Sequence, residues 1–170
     1  GLKVVTTFDA DAQDAAVAAA QKMTLQAAAG NKKAARQLHA AIASVDNGTG
    51  GVIALYGGPD FLKSQWNWAN NPRPTGSTFK TYALAAALRN GWTLTDKLNG
   101  DSFTPKGDTS LVHNADGNHG TVTLQQATTH SINSAFVDLV TQIPDGPSRV
   151  QQMAESAGVP ADGHWDLSNR

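Results

Sequence analysis

A break in the chain followed directly by a strong helix former constrains this sequence more than any other feature. Pro74 and Gly76 interrupt whatever precedes them, and residues 78–88 are rich in alanine and leucine. Proline and glycine end regular structure, whereas alanine and leucine favour a helix. The Asn-Gly pair at 90–91 supplies a stop signal for that helix. We therefore predict a helix that begins immediately after the break.

The start of this helix carries a hydroxyl and an amine at a useful spacing. Ser77 and Lys80 are three residues apart, so they share one helix face. A serine hydroxyl becomes a good nucleophile when a neighbour takes its proton, and burial or nearby positive charge would lower the lysine pKa for that role. The helix N-terminus would stabilise an oxyanion. Ordinary helix starts also contain this short pattern, so alone it is weak.

A second polar signal lies downstream, at Ser131 and Asn133. Thr123 predicts the cap of one helix, and a second helical pattern begins at Ser134. Ser131 and Asn133 therefore fall near a helix junction, where side chains can point into a cleft. Ser131 could relay a proton, and Asn133 could bind a substrate amide with both its donor and its acceptor. The alternative is that both are polar loop or cap residues.

Composition is that of one globular domain. The chain has 170 residues, of which 40% are hydrophobic and 16% charged, and its net charge is −1. This balance gives no reason to expect a nucleic-acid partner. Cysteine is absent, and the five histidines lack metal-ligand spacing, so we expect no metal and no cofactor.

Periodicity and turn residues predict the other elements of regular structure. In chain order, we expect strands at 3–8, 38–45 and 51–56 and helices at 10–29 and 148–157. The second and third strands form a hairpin across an Asp-Asn-Gly turn. Residues 99–120 are interpreted as a turn-rich segment.

Several ordered segments together resemble one family, the transpeptidase domain of class A penicillin-binding proteins. Residues 5–16 resemble its first strand and helix, and residues 41–58 resemble its first hairpin. The nucleophile segment is matched by Asn67-Trp68-Ala69-Asn70 and Arg73-Pro74-Thr75-Gly76-Ser77-Thr78-Phe79-Lys80. The second-motif segment is matched by Val112-His113-Asn114, Gly120-Thr121-Val122-Thr123-Leu124 and Ser131-Ile132-Asn133-Ser134-Ala135.

The resemblance implies an α+β fold in which an antiparallel sheet is flanked by helices and joined to an all-helical subdomain. This is the penicillin-binding/β-lactamase-like transpeptidase fold, and we expect it to be incomplete in this chain. Residues 1–170 would form the N-terminal portion of one domain. Within it, residues 1–91 would carry the sheet-side helices, the hairpin and the nucleophile helix, and residues 92–170 a mostly helical subdomain.

The resemblance also implies an activity. Ser77 would attack the penultimate D-alanine carbonyl of a peptidoglycan stem peptide, D-alanine would leave, and an amine of a neighbouring stem peptide would resolve the acyl-enzyme into a cross-link. β-Lactam antibiotics would mimic D-alanyl-D-alanine and trap Ser77. Lys80 would be the general base, Ser131 the proton relay and Asn133 a substrate-binding group.

The sequence departs from the family in one respect, because the third motif, Lys-Thr-Gly or a close variant, does not occur in these residues. The strand that carries it would supply one oxyanion N–H and the groups that read the substrate carboxylate. We therefore expect either a second polypeptide carrying the C-terminal half of the domain or a truncated domain. The parent protein would be membrane-anchored at the extracytoplasmic face of the bacterial cytoplasmic membrane.

Two other functions share the acylation step. A serine β-lactamase needs a group that activates water, and in the commonest type this is a glutamate after the second motif. Glu155 is the only glutamate here and lies in a pattern typical of a plain surface helix, which favours slow deacylation and hence a transpeptidase. A non-catalytic β-lactam sensor domain would be acylated at Ser77 without transfer to an amine, and a cross-linking assay separates it from the enzyme.

Overall fold

The computed structural model describes residues 1–161 and residue 165, in two compact units. The first unit is Gly1–Arg73, and the second begins at Pro74. The predicted subdivision after residue 91 concerns the two subdomains of the family and stays a prediction. In the first unit the elements are α1 (Ala10–Ala27), α2 (Lys32–Ala35), β1 (Ile42–Val45) and β2 (Val52–Tyr56), followed by a short 3-10 helix (Trp68–Asn70).

The first unit packs α1 against the antiparallel hairpin β1–β2. Asp9 caps α1, because its carboxylate accepts the Ala12 N–H at 2.8 Å. Small side chains let the helix lie close to the sheet, and the buried contacts are made by Ala16, Ala20, Ala54 and Tyr56. The predicted helix at 10–29 and the hairpin are confirmed, although β1 begins only at Ile42.

The predicted strand at residues 3–8 is wrong. Only the end of this segment approaches the outer edge of β2, where the Thr7 hydroxyl donates to the Val52 carbonyl at 2.6 Å. One residue beyond it, the Asp9 N–H donates to the Ile53 carbonyl at 2.9 Å. The chain then enters α1, so the β-branched and aromatic side chains Val4, Val5 and Phe8 remain exposed to solvent.

A side chain of α1 occupies the place on the β2 edge where a strand would continue. Gln13 Oε1 accepts the Leu55 N–H at 2.9 Å, and Gln13 Nε2 donates to the Leu55 carbonyl at 3.1 Å. The carboxamide thus makes both hydrogen bonds that a neighbouring strand would make. Unpaired backbone groups at a sheet edge promote non-native pairing, so this contact protects the edge as well as stabilising it.

We expect Gln13→Ala to weaken this edge selectively. The substitution leaves a partly buried N–H and carbonyl without their partners, at a cost of about 1–3 kcal/mol. Amide hydrogen exchange at Leu55 should accelerate accordingly. Gln21→Ala is the matched control, since Gln21 is an exposed residue of the same helix. Equal exchange rates at Leu55 in the two variants would show that the carboxamide does not hold the edge.

The second unit contains a 3-10 helix (Gly76–Phe79), α3 (Lys80–Arg89), β3 (Lys97–Asn99), β4 (Thr121–Thr123), α4 (Leu124–Thr129), α5 (Asn133–Gln142) and α6 (Gly146–Ser156). Helix α3 packs against α5 and α6, and β3 pairs antiparallel with β4. The core side chains include Ala83, Ala86, Ala87, Leu98, Val122, Leu124, Ala127, Ile132, Ala135, Phe136 and Leu139.

Close approach of α5 and α6 depends on Gly146. A Cβ atom at this position would overlap the Val140 carbonyl oxygen, so no other residue fits without moving the helices. Pro147 follows at the first turn of α6, where its missing N–H costs nothing. The helix therefore begins two residues before the predicted start at 148.

The predicted helix after the break is confirmed, with its first turn wound as a 3-10 helix and its end at the predicted Asn-Gly stop. The predicted cap at Thr123 is also confirmed, because its hydroxyl accepts the Gln126 N–H and the Gln126 side chain accepts the Thr123 N–H. Strands β3 and β4 fall at the borders of the segment interpreted as turn-rich. Each has three residues and one buried side chain, too short for alternation to be visible.

Candidate active site

Ser77 lies in the turn that leads into α3. Gly76, directly before it, has φ of +57°, a left-handed conformation that glycine adopts without steric cost. The chain therefore turns sharply, and Ser77 lies exposed at the surface. Lys80 is the first residue of α3, one short turn further on. The break and the helix start thus present the hydroxyl and the amine at one end of the same element.

The Lys80 ammonium joins α3 to the junction of α4 and α5. Its Nζ donates to the Ser131 carbonyl at 2.6 Å, to the Ser131 hydroxyl at 3.0 Å and to Asn133 Oδ1 at 2.6 Å. Three acceptors match the three donors of an ammonium group. These bonds connect Lys80 with residues that lie 51 and 53 positions further along the chain.

Only one of the three partners can reverse its role. The carbonyl and the amide oxygen can only accept, whereas the Ser131 hydroxyl can rotate and donate. A neutral Lys80 has two N–H donors and one lone pair, so Ser131 is the partner that can donate to this lone pair. Ser131 is therefore placed to pass a proton to and from Lys80.

The environment of Lys80 favours loss of its proton. Burial lowers the pKa of the Lys80 ammonium below its ordinary value of 10.5. The buried ring of Phe136 lies on one side, with its centroid 5.5 Å from Nζ. Desolvation acts against the charged form, so the pKa of Lys80 shifts towards loss of the proton.

Ser131 has a backbone conformation that is unusual for a serine. Its φ is +53°, and it ends α4 in a Schellman motif. In this motif the Ile132 N–H donates to the Ala127 carbonyl at 3.0 Å and the Ser131 N–H to the Thr128 carbonyl at 3.3 Å. Glycine normally takes this position, because a left-handed residue with a Cβ costs about 1–2 kcal/mol. Ser131 thus carries this backbone cost at the same position from which its hydroxyl and carbonyl contact Lys80.

The Asn133 carboxamide is oriented by a backbone carbonyl. Asn133 Nδ2 donates to the His113 carbonyl at 3.2 Å. Because a carbonyl can only accept, the amide nitrogen must face His113 and Oδ1 must face Lys80. Both ends of the amide are bonded to protein groups in this structure. The binding of a substrate amide through both ends of Asn133 therefore stays a prediction.

A cleft of about 560 Å³ opens beside these residues within the second unit. Its polar lining comes from Lys80, His113, Asn133 and Gln151, and its apolar lining includes Phe79, Ala83, Phe136, Val137, Val140 and Val150. An apolar pocket with a few convergent polar groups is typical of a small-molecule site.

The structure brings Lys80, Ser131 and Asn133 into direct contact and places Ser77 nearby on the connected turn. Among the described residues, the Ser77 hydroxyl makes no hydrogen bond with the other three. Sequence reasoning assigned no role to His113 or Asn114, although both lie in a segment that carried the family resemblance. No group of three or more metal-binding side chains occurs in residues 1–161 and 165.

Comparison with known proteins shows the family. The penicillin binding protein transpeptidase domain model matches residues 40–169, so the chain belongs to this family. Penicillin-binding protein 1A of Mycolicibacterium smegmatis is 34% identical over 160 residues, covering 94% of this chain and 19% of that protein. The Mycobacterium tuberculosis protein of the same name is 32% identical, with coverages of 94% and 18%. The chain thus spans about a fifth of the length of these curated relatives.

Solved structures agree with the sequence comparison. The penicillin-binding protein PonA1 from Mycobacterium tuberculosis aligns with a TM-score of 0.77 at 28% identity, covering 96% of this chain and 39% of that one. PonA1 in complex with penicillin V aligns with a TM-score of 0.78 at 29% identity, with coverages of 96% and 41%. The expected α+β transpeptidase fold is therefore confirmed, and so is the resemblance to class A penicillin-binding proteins.

Two substitutions at Ser131 should separate backbone strain from side-chain chemistry. Both Ser131→Ala and Ser131→Gly remove the hydroxyl, but only glycine relieves the left-handed backbone. We expect the glycine variant to be more stable than the alanine variant by about 1 kcal/mol in urea unfolding. Equal stabilities would mean that the backbone at this position carries no cost.

Proposed function

We propose that this chain carries the nucleophile portion of a peptidoglycan D,D-transpeptidase, acylated on Ser77 by D-Ala-D-Ala stem peptides and by β-lactams. The observation that carries the proposal is the trio of hydrogen bonds from Lys80 to Ser131 and Asn133. It supplies a proton acceptor one turn from an exposed serine, with a relay hydroxyl in contact. The match to the transpeptidase family supports the same reaction class.

In the proposed acylation, Ser77 Oγ attacks the carbonyl carbon of the penultimate D-alanine, and its proton passes to neutral Lys80. The C–N bond to the terminal D-alanine then breaks, and the proton reaches the departing amine through Ser131. An acyl ester remains on Ser77. Attack by an amine of a second stem peptide releases the ester as a new amide and returns the proton to Ser77, so that cross-link formation regenerates the enzyme.

A β-lactam would enter the same sequence and stop at the ester. Its strained amide carbonyl takes the place of the D-alanine carbonyl, and ring opening leaves the amine attached to the acyl group. The leaving group then cannot diffuse away. Penicillin V is bound by PonA1 in the solved complex, and we extend β-lactam binding to this chain on the strength of the shared fold and the Lys80 site.

The alternative of a serine β-lactamase is less well supported. Glu155, the only glutamate of the chain, lies in α6, where its carboxylate accepts a hydrogen bond from Gln151 Nε2 at 2.7 Å. A carboxylate engaged on its own helix is not arranged to activate water at Ser77. A non-catalytic β-lactam sensor remains the other alternative, which the amine-transfer assay tests directly.

The setting of the parent protein is also a proposal. We propose that it acts at the extracytoplasmic face of the bacterial cytoplasmic membrane, where stem peptides are found, and that it is membrane-anchored. None of the helices in the described part of the chain is long and apolar enough to cross a membrane. We further propose that a second polypeptide carries the C-terminal half of the domain, with the Lys-Thr-Gly strand.

Intact-mass spectrometry of the native protein with and without benzylpenicillin tests the acylation. We expect a penicilloyl adduct on this chain, located at Ser77 by peptide mapping and abolished in Ser77→Ala. Thr78→Ala is the matched control, since it removes the neighbouring hydroxyl from the same turn and should leave the adduct unchanged. Detection of a second polypeptide in the same spectrum supports a two-chain domain. An adduct that survives in Ser77→Ala would disprove the assignment of the nucleophile.

The pH dependence of acylation tests the role of Lys80. Burial lowers the pKa of Lys80 below 10.5, and the neutral amine is the reactive form, so the neutral fraction grows as pH rises. The acylation rate should therefore increase between about pH 6 and pH 9. His113→Gln serves as a control for a histidine that also lines the cleft. A rate that is flat or falls over this range in both proteins would exclude Lys80 as the base.

A further inference from the structure

A buried polar pair lies behind the Lys80 site and has no part in the proposed chemistry. Asn114 is 7% exposed, and Ser134 is 0% exposed. They are the buried polar residues of the described core, in which the other buried side chains are hydrophobic. Burial of polar groups is costly unless every donor and acceptor is paired, so their hydrogen bonds show what holds them there.

The Asn114 carboxamide is completely satisfied. Its Oδ1 accepts the Ser134 N–H at 2.9 Å and the Ser134 hydroxyl at 3.1 Å. Its Nδ2 faces three acceptors, the Gly100 carbonyl at 2.9 Å, the Gly117 carbonyl at 3.0 Å and the Ser134 hydroxyl at 3.0 Å. Two donors and two acceptor positions are the whole capacity of an amide side chain. The orientation of the carboxamide is therefore fixed by its partners.

This side chain supplies a helix cap from a distant loop. The residue at the N-cap of α5, Ile132, has an apolar side chain and makes no capping hydrogen bond. The N–H groups of the first helical turn need acceptors from elsewhere. Asn114 Oδ1 takes the Ser134 N–H, which lies 20 positions along the chain. The N-terminus of α5 is therefore held in place by the loop between β3 and β4.

Two consecutive residues of the loop, His113 and Asn114, are hydrogen-bonded to two consecutive residues of α5, Asn133 and Ser134. The His113 carbonyl accepts from Asn133 Nδ2, and the Asn114 side chain accepts from Ser134. Asn133 Oδ1 is thereby directed at Lys80 Nζ. Any movement of the loop against α5 changes the distance between Lys80 and the residues that hold it.

We infer that Asn114 is a positioning residue for acylation, acting through the N-terminus of α5 on Asn133 and Ser131. The inference rests on the proposed function, because it concerns the rate at which Ser77 reacts. Displacement of a reacting group by about 1 Å can lower a rate on the order of 100-fold, so an anchor of this kind has a measurable effect without contacting the substrate.

The experiment follows the labelling of the intact native protein by a fluorescent penicillin, recording both the rate and the final labelled fraction. We expect Asn114→Ala to slow acylation on the order of 10- to 100-fold with an unchanged final fraction. Ser134→Ala removes only the hydroxyl and keeps the backbone cap, so it should slow the rate by less than about threefold. Asn118→Ala is the loop control, since that side chain accepts from Ser102 N–H at 2.9 Å without contacting α5, and it should behave as wild type.

The two readouts distinguish positioning from folding. A lower final fraction with an unchanged rate would mean that Asn114 only stabilises the fold and would overturn the inference. A wild-type rate in Asn114→Ala would do the same. If Asn114→Ala lacks a cooperative melting transition, Asn114→Asp replaces it, because it keeps the acceptor for Ser134 and loses the donors to Gly100 and Gly117. A rate slowed at least about threefold at an unchanged endpoint then supports the inference, and a wild-type rate contradicts it.

The same data separate this inference from the proposed function. Absence of label at Ser77 in the wild-type protein would defeat the function itself. Label at Ser77 in the wild type together with an unaffected Asn114→Ala variant would defeat only the positioning role.

Discussion

The arrangement of the second unit depends on compensation of one partly buried positive charge. Removing an ammonium from water is costly unless acceptors replace the lost solvent. Those acceptors are the Ser131 carbonyl, the Ser131 hydroxyl and Asn133 Oδ1. They belong to a segment that is distant from α3 in the sequence. The contact therefore couples the nucleophile helix to the α4–α5 junction, and the loop at 113–114 in turn fixes that junction.

The same contact explains why the site carries strain. A glycine at position 131 would end α4 at lower cost, because the residue has φ of +53°. It would also remove the one partner of Lys80 that can both accept and donate a proton. The serine keeps that capacity while the Schellman hydrogen bonds hold its backbone in place. Under the proposed proton relay, stability and chemistry thus make opposite demands on this one residue.

Features that depend on local sequence were predictable, and features that depend on distant pairing were not. Helix α1, the hairpin, the helix after Gly76 and the cap at Thr123 all follow from neighbouring residues. The strand expected at 3–8 is absent because only Thr7 reaches the edge of β2, at Val52, and the Gln13 side chain rather than a strand pairs with Leu55. The sequence does not indicate the role of Asn114, because its partner lies 20 positions away and nothing in a turn-rich segment distinguishes a buried asparagine from an exposed one.

The second motif also shows why two interpretations of one pattern need not compete. The sequence allows Ser131 and Asn133 to be functional residues or polar loop or cap residues. Neither residue is a cap, since His130 caps the end of α4 and Ile132 the start of α5, but both lie beside these caps at the helix junction. Yet helix ends are where side chains leave the regular hydrogen-bond pattern and are free to meet another element. Their place at the junction of α4 and α5 allows Ser131 and Asn133 to reach Lys80, so the local structure is what makes the proposed chemical role possible.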